Sequence, residues 1–416
     1  MVFLYSIIIS FYQVAIILAS NWNRKAQLWY TGRKQVWNDL QNHLKNNQQP
    51  VIWFHAASLG EFEQGRPLID AIRKQYPQYQ IILTFFSPSG YEYKKDYTGA
   101  DWIGYLPMDS KSNAETWYNM LQPAMVVFIK YEFWYFYLMG ANKRNIPLFL
   151  VSAIFRKDQP FFHWYGALHR KMLGTYSHIF VQNHRSMQLI RAYVNESKIS
   201  VAGDTRFDRV EEVAKNPMPL EEITRFCGEH KVVVAGSTWK ADDEMLCHFA
   251  NSNDHFRYII APHDVDATRI EEMLLLYHSA QTYSSYLAEP DNTKHILIID
   301  SVGLLNQLYR FATIAWIGGG FNKEGVHNVL EAAVFGKPIV MGPIYDKYAE
   351  AVELVECGGA TIINDSNDID LKLLHLLNNE EDYFKQSMAA GLYIKSKTGA
   401  TKRILDYFEE KRLLTN

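Results

Sequence analysis

The chain has 416 residues, more than the roughly 250–300 at which a single hydrophobic core stops growing, so two domains are the default. Hydrophobic residues make up 48% and charged residues 21%, with a net charge of −3; this fits a well-packed globular protein and carries no nucleic-acid footprint. Cys227, Cys247 and Cys357 lack C-x-x-C spacing and leave one over in any pairing, which argues against a disulfide framework and for free thiols in a reducing compartment.

The uncharged apolar run Val2–Ala19 comes first. It is just long enough to cross a bilayer, for which about 20 residues are typical, or it can lie in the interface. A cleaved signal peptide would begin with positive charge. Here Arg24, Lys25, Arg33 and Lys34 follow the run, which by the positive-inside rule predicts a membrane-attached protein whose body is cytoplasmic.

Two series of short apolar runs then alternate with segments of helical period. The first occupies 51–55, 81–85, 102–105, 125–129, 148–151 and 179–181; the second occupies 232–235, 258–261, 296–299, 314–317, 339–341 and 360–363. Strands spaced this way pair in parallel through βαβ crossovers. Between the series, Lys215-Asn216-Pro217-Met218-Pro219 reads as a linker. The expected division is a membrane anchor 1–22, a Rossmann-like domain 23–213, a linker 214–222, a second Rossmann-like domain 223–395 and a terminal helix 396–416 that on fold analogy crosses back. The fold class is α/β, with two doubly wound halves expected to face a central cleft.

Candidate chemistry follows the strand ends. After the first run, Ser58-Leu59-Gly60-Glu61 leads into a helix, which puts the Glu61 carboxylate at a strand-to-helix turn as a candidate general base. Lys130 and Glu132 follow the run ending at Ile129, and Arg156 with Lys157 follows the next; a cationic rim beside an apolar anchor suits a phosphorylated lipid acceptor. In the second series, Ser237-Thr238, Pro262-His263 and Asp300 with Gly303 end successive strands. Gly318-Gly319-Gly320 then leads through Gly325 to a helix expected to open at His327 and Asn328, with Glu331 about one turn in. Amides at a helix start suit a phosphate, and a carboxylate there can accept from both ribose hydroxyls. The spacing is not G-x-G-x-x-G, and neither G-x-S-x-G nor a P-loop occurs, which weighs against a dinucleotide site, a hydrolase and an NTPase. Asp264/Asp266 and Asp368/Asp370 have the spacing of a Mg²⁺ pair but read better as helix-start carboxylates, and no histidine cluster has metal-ligand spacing.

Together the apolar amino terminus, the Ser58–Glu61 turn and the Gly325–Glu331 segment resemble the 3-deoxy-D-manno-octulosonic acid (Kdo) transferases of lipopolysaccharide synthesis. Glu132-Phe133-Trp134, Gln182-Asn183, Gly203 with Phe207-Asp208, Ser237-Thr238, Asp300 with Gly303, and Met341-Gly342-Pro343 extend the likeness over nearly the whole chain. The resemblance implies a GT-B fold and an inverting, metal-independent glycosyltransferase that needs no cofactor. It would move Kdo from CMP-Kdo to a lipid A precursor at the cytoplasmic face of the inner membrane. It implies Glu61 as general base and Ser58, Gly60, Lys130, Glu132 and Arg156 toward the acceptor. Ser237, Thr238, Pro262, His263, Asp300, Gly303, Gly319, Gly325, His327, Asn328 and Glu331 would bind the nucleotide. The chain departs from better-known members at His263, where they carry arginine, at Lys130, where they carry glutamate, and at Leu304 after Gly303, where they carry glutamate. Two other readings compete: a GT-B transferase or epimerase of UDP-sugars, and a membrane-tethered GT-B protein without catalysis.

Overall fold

A computed structural model describes residues 1–415. It divides into two compact units, one formed by Met1–Arg209 with the chain from Gly399 onward, the other by Val210–Thr398.

In the first unit seven parallel strands form one sheet: β1 (Val51–Ala56), β2 (Gln80–Phe85), β3 (Trp102–Tyr105), β4 (Met125–Ile129), β5 (Leu148–Ala153), β6 (His178–Val181) and β7 (Ile199–Val201), in the order β3-β2-β1-β4-β5-β6-β7. All six residues of β1 are buried, as expected for a central strand with helices on both faces. On one face Trp53 is ringed by Trp117, Tyr118, Phe128 and Tyr137 at 5.3, 5.8, 5.3 and 5.6 Å between centroids. On the other, Phe54, Phe62, Leu68 and Phe149 pack with Ile404 and Phe408 of the last helix, Ala400–Glu410. Asp208 starts that helix by accepting from the amides of Gly399 and Thr401 at 2.5 and 2.6 Å, which gives the Phe207-Asp208 motif a structural task.

The chain runs outward from β1 through β2 to β3, then returns to place β4 on the other side of β1. The reversal creates a crevice beyond the carboxyl ends of β1 and β4, where open α/β sheets bind ligands. The second unit repeats the plan with β8 (Val232–Thr238), β9 (Arg257–Pro262), β10 (Ala280–Thr282), β11 (Ile296–Ile298), β12 (Ile314–Ile317), β13 (Ile339–Met341) and β14 (Ala360–Ile362), ordered β10-β11-β9-β8-β12-β13-β14. Its switch point lies between β8 and β12.

Three expectations change. The linker is irregular only over 216–220, because helices Thr205–Lys215 and Glu221–Cys227 extend into it from both sides. The short β7 and β10 join the sheets although neither is marked by an apolar run. The helix expected at His327 starts at Leu330 and ends at Ala333, so Glu331 sits in its first turn.

The helix Val2–Ala19, here α1, is long and apolar enough to cross a membrane and contains no fully buried residue. Arg33 is not a free juxtamembrane cation. Its guanidinium lies 3.8 Å from the Trp29 ring centroid and donates to the carbonyls of Phe86 and Leu106, and burial lowers its pKa to about 9.

Candidate active site

Glu61 and Glu132 follow β1 and β4, the two strands of the first switch point. Ser58 ends the β1 turn in extended conformation, and the helix Leu59–Gln75 begins behind it, so Gly60 is already helical. Glu61 folds back onto this helix start and accepts from the Ser58 amide at 3.0 Å and its hydroxyl at 3.3 Å. Burial and then the charge of Glu132 raise the Glu61 carboxyl to about 7; Lys130 and the amides of Ser58 and Ala57 pull the other way. A cap alone needs an ordinary carboxylate, whereas a carboxylate balanced near neutrality suits proton transfer.

Glu132 is buried, and its Oε2 lies 2.8 Å from His55 Nε2 and 2.5 Å from Trp134 Nε1. His55 Nδ1 faces the Thr84 carbonyl at 3.1 Å and hydroxyl at 2.8 Å, while that hydroxyl donates to Phe54 O. The network therefore assigns a proton to Nδ1. Trp134 Nε1–H reaches both members of the pair, at 3.2 Å from His55 Nε2 and 2.5 Å from Glu132 Oε2. Trp134 stacks on Phe86 at 4.6 Å, and Tyr176 OH donates to the Glu132 carbonyl at 2.5 Å. His55, Thr84 and Trp134 thus belong to the site although sequence reasoning assigned them no part in it. A polar residue ending a run as apolar as Val51-Ile52-Trp53-Phe54 was the available signal.

Beside Glu132 a cavity of 320 Å³ is lined by Tyr131, Phe133, Trp134, Phe161 and His169 among others. Lys130 adopts a left-handed φ of 67°, bonds its amide to Val151 O at 2.8 Å and holds its ammonium over the Tyr131 ring. Arg156 is exposed, with its amide bonded to Gln159 at 3.0 Å.

The second switch point gathers the ends of β8, β9 and β12. Trp239, just past Ser237 and Thr238, stacks on His263 at 4.4 Å, and His263 on His327 at 4.6 Å. Trp239 Nε1 donates to His327 Nε2 at 2.8 Å, which requires His327 neutral; burial, and then the proximity of His263, lower its pKa to about 4. The wholly buried Asp242 ties the turns together by accepting from the amides of Trp239 and Gly319 at 2.9 and 2.8 Å.

The glycine loop itself is tied into the fold. The Gly318 amide bonds to Gly236 O at 2.9 Å and the Gly319 amide to Asp242, so both are engaged inside the fold. The glycines serve close approach: a Cβ on Gly320 would meet the Gly342 amide nitrogen at 2.5 Å, and one on Gly318 would meet Ser237 O at 2.3 Å. Gly325, at φ 86°, turns the chain, and Asn328 Nδ2 donates to Glu331 Oε1 at 2.9 Å, which aims that carboxylate. Past β11, Asp300 accepts from the Ser284 amide at 3.0 Å and its hydroxyl, so the carboxylate starts a neighbouring helix; Gly303 at φ 92° has open space around it. Pro262 ends β9.

Asp266 caps the helix Ala267–Leu276 and Asp368 pairs with Lys372 at 2.8 Å, so both Asp-x-Asp spacings are occupied by helix-start work. Among the described residues no three His, Cys, Asp or Glu side chains cluster as a metal site.

Residues 33–209 match the family model described as 3-Deoxy-D-manno-octulosonic-acid transferase (kdotransferase). Over this stretch, and more loosely beyond it, the chain is similar to Kdo transferases. A Haemophilus influenzae 3-deoxy-D-manno-octulosonic acid transferase is 25% identical over 371 residues, covering 85% of this chain and 86% of the relative. A Rickettsia felis transferase of the same name is 29% identical over 343 residues, covering 79% and 72%. Among solved structures, UDP-GlcNAc 2-epimerase from Neisseria meningitidis bound to UDP-GlcNAc aligns with a TM-score of 0.63 at 15% identity, covering 87% of this chain and all of that one. A glycosyltransferase from Rickettsia africae aligns at 0.55 and 14%, covering 89% and 100%. At such identities the structural likeness establishes the fold, with two Rossmann-like units of the GT-B class, and the Kdo transferase relation rests on sequence.

Proposed function

We propose that this protein is an inverting, metal-independent glycosyltransferase that moves Kdo from CMP-Kdo to a lipid A precursor in lipopolysaccharide core synthesis. The sequence relation to Kdo transferases supports the reaction class. The observation that carries the mechanism is the Glu61 carboxyl, raised to about 7 at the switch point between β1 and β4.

In this reading Glu61 takes the proton of an acceptor sugar hydroxyl. The freed oxygen attacks the anomeric carbon of Kdo from the face opposite CMP, the carbon–oxygen bond to the phosphate breaks, and its electron pair leaves with CMP. A single displacement inverts the centre. Lys130, Arg156 and Glu132 face the acceptor, with Ser58 and Gly60 shaping the turn. The second unit holds the donor: Glu331, aimed by Asn328, binds the ribose. His263, with amides near Ser237, Thr238 and Gly303, takes the phosphate charge as the leaving group departs. The neutral His327 keeps Trp239 in place. The apolar α1 supports attachment to the cytoplasmic face of the inner membrane.

The test pairs Glu61→Gln with wild type in CMP-Kdo transfer, with nucleotide binding followed by calorimetry. Loss of transfer with unchanged CMP affinity supports the assignment. Wild-type turnover removes it, and preference for UMP or UDP over CMP rejects the donor.

A further inference from the structure

We propose that α1 does not cross the bilayer but lies flat in its surface, as an in-plane contact packed beside the segment that carries Glu132. The proposal rests on the acceptor being a lipid, as above.

Both ends of the argument are contacts. Near its start, Tyr5 OH donates to Asp109 Oδ2 at 2.5 Å, and the Tyr5 ring lies 5.9 Å from that of Tyr135 and 6.2 Å from that of Phe136. Two turns later Tyr12 stacks on Phe86 at 6.1 Å and meets Trp29 edge-on at 6.4 Å. Residues 5 and 12 share a helix face, so α1 is laid along the first unit over most of its length. A spanning helix would carry Tyr5 about 21 Å along its axis from the helix's carboxyl end, into the far half of the membrane. Asp109 could not follow, because its carboxylate also accepts from the amides of Phe136 and Tyr137 at 3.1 Å inside the folded unit.

Away from that face the helix is apolar and open: Phe3, Leu4, Phe11, Val14 and Leu18 are 79, 59, 71, 52 and 57% exposed. The hydroxyls of Ser6 and Ser10 bond back to the carbonyls of Val2 and Ser6, so they ask nothing of water. Arg24 and Lys25, exposed just beyond, match anionic headgroups. An apolar stripe with cations at its end fits a bilayer surface better than a protein partner.

The helix also reaches the chemistry. Tyr12 stacks on Phe86, Phe86 on Trp134, and Trp134 donates to Glu132. By the second route, Tyr5 and Asp109 hold the start of the helix Tyr135–Lys143, directly after the Glu132-Phe133-Trp134 turn. A bilayer against the outer face of α1 therefore lies next to the acceptor turn, where a lipid's sugar headgroup can enter from the side.

The test uses the full-length protein with Cys247→Ser and Cys357→Ser, and Phe3→Cys, Phe11→Cys or Leu18→Cys labelled with a fluorophore. Vesicles of phosphatidylethanolamine and phosphatidylglycerol carry nitroxides at the headgroup, mid-chain or chain end. An in-plane helix puts all three labels at one shallow depth, roughly 5–10 Å below the headgroups. A deep Phe11 label, about 15 Å down, with Phe3 shallow in the far leaflet would overturn the proposal, as would no quenching at any depth. The readout needs no CMP-Kdo, so it stands or falls separately from transfer.

Discussion

His55 Nε2 lies 2.8 Å from Glu132 Oε2, buried between the ends of β1 and β4. The pair is fixed from both sides, by Thr84 on the imidazole and by Trp134 on the carboxylate. Breaking a buried pair by removing one partner costs about 3–5 kcal/mol, because a charge is left without compensation. His55→Ala is expected to lower thermal stability on that scale. Glu132→Gln, which keeps a polar group opposite the imidazole, is expected to lower it less. Calorimetric melting of the two variants checks the order.

Glu61 must be ionised to accept a proton, so transfer is expected to rise with pH through about 7 and level off above it. Glu61→Gln should lower turnover by roughly 10²–10⁴-fold and abolish that limb. Lys130 pulls the Glu61 carboxyl down, so Lys130→Gln should move the limb to higher pH. A limb that stays in place in Lys130→Gln argues that some other group titrates.

The same raised carboxyl has a stability signature of opposite sense. A folded-state pKa of about 7 against an ordinary value of 4.5 means that the folded state holds this proton more tightly. The penalty is absent below about 4.5 and grows until the pH passes 7. Glu61→Gln should therefore melt at a higher temperature than wild type at pH 8, and at about the same temperature at pH 4. Equal differences at both values contradict the shift.

His327 works in the other direction. Its pKa is lowered from 6.5 to about 4, so the neutral ring favours folding above 6.5 and that contribution is lost as pH falls through 4. Replacing it by Ala leaves Trp239 Nε1 without its acceptor, at a cost of about 1–3 kcal/mol if water cannot reach it. Melting curves of His327→Ala and wild type should converge on acidification.

Much of this was legible in the sequence. Runs such as Val51–His55 and Ile314–Ile317 name buried parallel strands, and the turns after them carry Glu61 and the glycine loop. What escaped reading depends on contacts between distant segments. The amides of Gly318 and Gly319 are held by Gly236 and Asp242, which no local pattern announces. Arg33 reads as a headgroup cation, yet its guanidinium lies among Trp29, Phe86 and Tyr105. The apolar α1 fits an anchor by composition, and only its Tyr5 and Tyr12 contacts reveal which face is already covered. β7 and β10, three residues each, are edge strands whose alternation is too short to stand out.

Glu331, held by Asn328, is expected to bind the donor ribose. A hydrogen bond to a charged group is worth about 1.5–3 kcal/mol, so Glu331→Ala should weaken CMP binding by roughly ten- to a hundredfold, as titration calorimetry would read.

The most direct measurement is incubation of the purified protein with CMP-Kdo and a lipid A precursor, followed by mass spectrometry of the lipid. The account predicts a lipid heavier by one or more Kdo residues with wild type, and an unchanged lipid with Glu61→Gln. An unmodified lipid with wild-type protein that binds CMP-Kdo, or transfer from a UDP-sugar in its place, would contradict it.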